Sequence, residues 1–177
     1  MCYKFLMWGF IFLVNIQIGG FDILPDIIGY YFIIQGLHML RNNNKHFYKA
    51  RNATLLIVIA YAVAIGTFIY SGDYMRLNDG LPRFLWADKI ALVLMFPILK
   101  SIYKGTAKEC SLIGDHESEN LMIKARKWIE LFWLVVMFCG IFSVAIRWQG
   151  TLALIVFIVT AILMFKCEKS LQQTITN

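Results

Sequence analysis

The sequence predicts an all-α polytopic membrane protein, a six-transmembrane-helix bundle with both termini cytoplasmic, and three observations predict it. Apolar side chains make up 59% of the chain and charged ones 16%, with a mean hydropathy of +0.64, against roughly 25% charged in soluble domains. Apolar runs of about 18 residues, the length a helix needs to cross about 30 Å of hydrocarbon, recur six times along the chain. The 17 basic residues then fall very unevenly between the two sets of connections that six spans define.

The first span covers about 5–18. Lys4 followed by an apolar run imitates a signal peptide, but no small-residue cleavage site follows and Asn15 and Gln17 interrupt its end, so it is expected to be retained as a span. Gly19-Gly20 can supply the positive φ that ends this segment and turns the chain into a helical hairpin. The second span, 23–40, opens with Asp22 as its cap, Pro25 in the first turn and Asp26 at the positive end of the helix dipole. A polar loop from Arg41 to His46 closes it. The third span, 53–70, carries no charge, and Ala60 with Ala64, and Ala62 with Gly66, stand at four-residue spacing, which lets a neighbour approach closely and marks this as the candidate central helix.

A connection carrying Asp73, Arg76, Asp79 and Arg83 leads to the fourth span, 84–103, where Pro97 predicts a kink. The stretch 104–127 is the largest polar segment and is read as a cytoplasmic loop, with helix formers over 118–128 extending the fifth span inward by about two turns. The fifth and sixth spans, 128–146 and 150–165, are joined by Arg147-Trp148-Gln149 alone and so form a tight hairpin. The residues contain no internal repeat, and the chain reads as one integral membrane domain, 1–177.

Sorting the basic residues by side gives the orientation. One side takes Lys4, Arg41, Lys45, Lys49, Arg51, the six basic residues from Lys100 to Lys127, Lys166 and Lys169, thirteen in all. The other side takes Arg76, Arg83, Lys89 and Arg147. Basic residues are held on the cytoplasmic side, so both termini are expected there, in the plasma membrane. Trp8 and Trp128 near the inner boundary, with Trp86 and Trp148 near the outer one, fit interfacial aromatic belts.

Asp22 and Asp26, at the outer mouth of the first hairpin, are the most distinctive candidates for a ligand site. Two carboxylates four residues apart near a membrane can bind a cation, recognise a cationic ligand or exchange protons. Helix capping also accounts for every residue type in that turn, and is the preferred explanation. Arg147 lies on the same side as a partner for Asp26 if the first and last hairpins pack together, with Arg76 and Arg83 as rivals. Lys89 is expected to snorkel outward toward Asp88 and the headgroups. Glu130 has Arg126 and Lys127 within one turn to pair with, and Asn15, Gln17 and Gln35 offer hydrogen bonds between the first two segments.

Other chemistries find little support. His38, His46 and His116 lie on the cytoplasmic side without a cluster of further ligands, and Cys2, Cys110, Cys139 and Cys167 have no paired spacing, so no metal, disulfide framework or cofactor is expected. Hydrolase and P-loop signatures such as HExxH, GxSxG and GxxxxGK[ST] are absent, and no enzymatic activity is expected. The net charge of +6 is explained by orientation, so no nucleic-acid partner is expected. The expected partners are the lipid bilayer, anionic headgroups against the stretch Lys100 to Lys127, and another membrane or cytoplasmic protein docking through the 104–127 loop.

The run Phe21-Asp22-Ile23-Leu24-Pro25-Asp26-Ile27-Ile28-Gly29-Tyr30, after a first span beginning Phe5-Leu6-Met7-Trp8-Gly9-Phe10, resembles the opening of a group of uncharacterised small integral membrane proteins of Gram-positive bacteria. The likeness covers about the first forty residues and implies a bacterial plasma membrane without implying an activity. In gross plan the chain is also similar to the substrate-binding subunits of energy-coupling-factor vitamin transporters, with no motif residue matched. The leading expectation is a non-enzymatic membrane-embedded accessory or structural protein. A small-solute binding or transport subunit with an outward-facing site beside Asp22, Asp26 and Arg147 is the alternative, and a membrane enzyme is the weakest reading.

Overall fold

The computed structural model describes residues 2–13, 17–18, 21–22, 26–40, 42, 44–71, 85–141 and 146–176. Its described residues form six helices, α1 (Cys2–Phe12), α2 (Asp26–Leu40), α3 (Lys45–Ser71), α4 (Leu85–Leu112), α5 (His116–Ile141) and α6 (Ile146–Thr176), and two two-residue strands, β1 (Gln17–Ile18) and β2 (Phe21–Asp22). Each helix packs on its neighbours in sequence, α6 closes the ring on α1, and α4 touches α6 across it. Neighbours run antiparallel: Leu6 meets Gly36 while Gly9 meets Gly29, and Phe10 stacks on Phe157 while Tyr3 reaches Glu168. The starts of α1, α3 and α5 and the ends of α2, α4 and α6 therefore share one end of the bundle, called here the basic end.

The tightest joint is α1 on α2. A Cβ on Gly9 would stand 2.9 Å from the Gly29 carbonyl oxygen, and one on Gly29 would stand 2.9 Å from the Gly9 carbonyl oxygen. Only hydrogen at both positions lets the backbones meet, the small-residue packing by which apolar helices associate when lipid supplies no hydrophobic contrast. Gly36 does the same against Leu6, and Phe12 stacks on Phe32 with centroids 5.5 Å apart. Leu6, Ile33, Ile57, Ile98, Ile102, Val136 and Met164, from all six helices, are fully buried between them.

The outward faces are apolar as well. Ile27 and Tyr31 on α2, Leu56, Ile59 and Val63 on α3, Val93 on α4, Leu134 and Phe138 on α5 and Ile158 and Ile162 on α6 are all exposed. Two stretches, Lys45–Gly66 and Lys89–Leu112, are long and apolar enough among the described residues to cross a membrane.

Several boundaries differ from the sequence reading, each for a physical reason. The first span was expected as helix over 5–18, but α1 ends at Phe12 and Gln17–Ile18 pairs antiparallel with Phe21–Asp22. The polar–apolar alternation leading through Gln17 and Ile18 is a strand pattern, while 14–16 and 19–20 lie outside the described residues. At 1.5 Å per residue the 11-residue α1 is about 16 Å long, about half of the hydrocarbon thickness. The second helix is described over Asp26–Leu40, and its expected start at 23 lies outside the described residues.

The third helix belongs to the ring rather than to its centre: Ala60 and Ala64 are buried, but Ala62 and Gly66 face outward and Gly66 has nothing within 4 Å. The expected loop 104–127 is almost entirely helical, because α4 continues to Leu112 and α5 starts at His116. The helix formers over 118–128 do extend the fifth segment, as expected. Arg147-Trp148-Gln149 lies in the first turn of α6 rather than outside the helices, and 142–145 lie outside the described residues. The trio is polar but contains no Gly, Pro, Asn or Asp, the residues that make a turn.

Candidate functional site

The predicted outer site is only partly within view. Asp22 lies in β2, its backbone paired with Gln17. Asp26 opens α2, half-buried, with its carboxylate at the positive end of that helix, where capping chemistry belongs. Arg147 lies in the first turn of α6, and α6 packs on α1, so the first and last hairpins do adjoin. The side chains of Asp22 and Arg147, like Arg76 and Arg83, lie outside the described residues. Lys89 is exposed. Glu130 meets Arg126 at 3.4 Å one turn away, as expected, and also Lys100 of α4 at 3.9 Å.

The polar chemistry within view gathers instead at the basic end. Glu168 of α6 is buried, and its Oε2 accepts the backbone N–H of Tyr3 at 3.0 Å. Tyr3 is the second residue of α1, so its amide is one of the donors a helix start leaves without an internal partner. The carboxylate both accepts it and faces the positive helix end. Deeper in, Tyr103 Oη donates to Thr160 Oγ1 at 3.1 Å, and Thr160 donates to the Val156 carbonyl at 2.7 Å. The Tyr3 ring meets Phe47 edge-on at 6.4 Å, which carries α1 across to α3.

Cys110 of α4 and Cys167 of α6, both free thiols and both buried, bring their Sγ atoms to 3.8 Å. Sequence spacing hid this pair: 57 residues separate the two, and only the side-by-side course of α4 and α6 unites them. Among the described residues no group of three or more His, Cys, Asp or Glu side chains is arranged to hold a metal ion.

The α4–α5 joint is built from three successive residues. Asp115 N–H donates to the Cys110 carbonyl at 3.0 Å and Gly114 N–H to the Ser111 carbonyl at 3.2 Å, while Gly114 adopts φ +76°, a Schellman ending of α4. Asp115 then caps α5, its Oδ1 accepting Ser118 N–H at 3.0 Å, and Ser170 Oγ of α6 donates to its Oδ2. The Ser118 N–H first, and the Ser170 and Ser118 hydroxyls after it, hold the Asp115 carboxyl below its usual pKa. Lys166 reaches Glu117 at 3.7 Å beside this joint.

At the start of α3, Asn44 Oδ1 accepts His46 N–H at 3.1 Å as an N-cap. Phe47 then packs directly on Gly105: a Cβ there would stand 2.7 Å from the ring's Cε1. Lys104, Lys45, Lys49 and Lys108 all lie close enough to His46 to act on its ring electrostatically. The chemistry of this end is therefore capping, thiol pairing and surface cation.

Comparison with known proteins adds no assignment: no protein-family model, no curated protein and no solved structure matches the chain.

Proposed function

We propose that the chain is a non-enzymatic integral membrane protein, a six-helix accessory or structural element of the plasma membrane with its basic end and both termini on the cytoplasmic side. One observation carries this reading: large apolar side chains are exposed on all six helices, from Trp8 on α1 to Phe165 on α6. Water-soluble monomers rarely expose contiguous apolar patches beyond a few hundred Å², and lipid is the solvent such a surface fits. Of the most apolar 18 residues within Lys45–Gly66 only 22% are buried inside the protein, and within Lys89–Leu112 50%, whereas a core helix of a soluble fold is mostly buried.

The polar contacts at the basic end support an accessory role, since each has a structural task. Glu168 caps α1, Asp115 caps α5, and Tyr103 and Thr160 tie α4 to α6. The resemblance of the first forty residues to small bacterial membrane proteins agrees with this reading.

Purification from native membranes followed by mass spectrometry tests it. The expected result is extraction only with detergent, with a protein partner and no small molecule in stoichiometric amount. A stoichiometric solute whose binding is lost in Asp22→Asn and Asp26→Asn would replace the accessory reading with the solute-binding one. A chain that stays monodisperse without detergent would overturn both.

A further inference from the structure

We propose that Lys45 and Lys49 of α3, with Lys104 and Lys108 of α4, form a docking surface for the headgroups of anionic phospholipids. The proposal rests on the membrane reading above and names the lipid class that the basic end selects. Four observations converge on it. The contact of Phe47 with Gly105 sets the start of α3 and the end of α4 at one level, with Lys45 and Lys49 exposed on the outward face of α3, Lys108 exposed on α4 and Lys104 half-buried one turn before it. All four lie within electrostatic reach of the His46 ring.

Lys100 and Lys166 each reach a glutamate, at 3.9 and 3.7 Å, whereas among the described residues none of the four cluster lysines makes an ion pair. Lys45 and Lys49 also sit in the first turns of α3, where the helix dipole adds positive potential to their own. A surface of this kind attracts an anion from outside the protein.

The location makes that anion a lipid phosphate. The outward stripe of α3 runs from Lys45, Tyr48 and Lys49 to Leu56, Ile59 and Val63, so its charged part passes directly into its apolar part. Leu56 lies about 10 Å beyond Lys49 along the axis at 1.5 Å per residue, the separation that headgroup and upper acyl chain require. Lysine stems reach across that boundary while the ammonium stays at headgroup level.

The test is quenching of tryptophan fluorescence in vesicles of phosphatidylcholine that carry either brominated phosphatidylglycerol or brominated phosphatidylcholine as a minor component. Trp8 and Trp128 are exposed and report lipid contact. The wild-type chain is expected to prefer the anionic probe at least tenfold at low salt, with the preference falling at high ionic strength. Each lysine changed to glutamine should remove about fivefold of that preference where it is not already exhausted, and K45Q/K49Q/K104Q/K108Q should remove it entirely. The arginine quadruple variant should restore it, and K100Q/K166Q should leave it intact.

Equal quenching by the two probes in a chain that floats with the vesicles overturns the proposal and leaves the membrane reading standing. Undiminished preference in the glutamine quadruple variant overturns it likewise. Failure to float with either vesicle overturns the membrane reading, and the proposal with it.

Discussion

Replacing Gly9 with alanine should loosen the α1–α2 joint, and the geometry gives the size of the effect. The new methyl would stand 2.5 Å from Ile33 Cγ1 and 2.9 Å from both the Gly29 carbonyl oxygen and the Ile33 nitrogen. The Ile33 side chain can turn away, but the other two atoms are α2 backbone, so relief requires the helices to part. Overpacking of this sort costs about 1–3 kcal/mol, against a gain of about 0.5–1 kcal/mol from alanine in a helix. Gly66→Ala isolates that gain, because Gly66 faces outward with nothing within 4 Å. The difference between the two variants should therefore be about 1–3 kcal/mol, roughly 5- to 150-fold in the folded-to-unfolded ratio. Reversible unfolding in mixed micelles, followed by tryptophan fluorescence, measures it. Gly9→Ala as stable as Gly66→Ala would refute the close backbone contact.

Three further outcomes follow from the basic end. In a Cys2→Ser, Cys139→Ser background, mild oxidation should join Cys110 to Cys167 within one chain, detected as a mobility shift that reduction reverses. Closing 57 residues should stabilise by about 4 kcal/mol on the loop-entropy scale, and a failure to cross-link contradicts the α4–α6 contact. Asp115→Ala should cost about 1 kcal/mol through loss of the α5 cap. Because the folded state lowers this carboxyl's pKa, its contribution is present above the unfolded value of about 3.9 and is lost as pH falls through the lower folded one. Wild-type and Asp115→Ala stabilities should therefore converge only in strong acid, and convergence near neutral pH contradicts the assignment. Glu168→Ala should cost about 1–3 kcal/mol by leaving the Tyr3 amide buried without an acceptor, whereas Glu168→Gln, which keeps an acceptor, should cost less in the same unfolding assay.

Hydropathy made the number of helices legible but not their ends. Apolar runs mark where lipid would lie, and α3 and α4 continue past them as helix because Phe47 packs on Gly105 and Ala50, Thr106, Ala107 and Cys110 are buried at the basic end. The carboxylate of Asp26 in the first turn of α2 was readable because helix starts have a local chemistry. The Gly114-Asp115 joint was equally readable in principle, as a left-handed glycine followed by an N-cap, but its polarity made it look like a loop. The α1–α2 glycines were not distinguishable from any others until Gly9 and Gly29 faced one another. The Cys110–Cys167 pair and the Glu168 cap are long-range products of ring closure, and no spacing in the chain encodes them.

The central claim, that lipid covers the outward apolar faces, is tested most directly by spin labels at Ile59, Leu134 and Ile162, exposed positions on α3, α5 and α6. In reconstituted vesicles the account predicts frequent collision with oxygen, which concentrates in hydrocarbon, and almost none with a water-soluble nickel chelate, while a label at Lys108 shows the reverse. Chelate collisions at the three apolar sites as frequent as at Lys108 would contradict it.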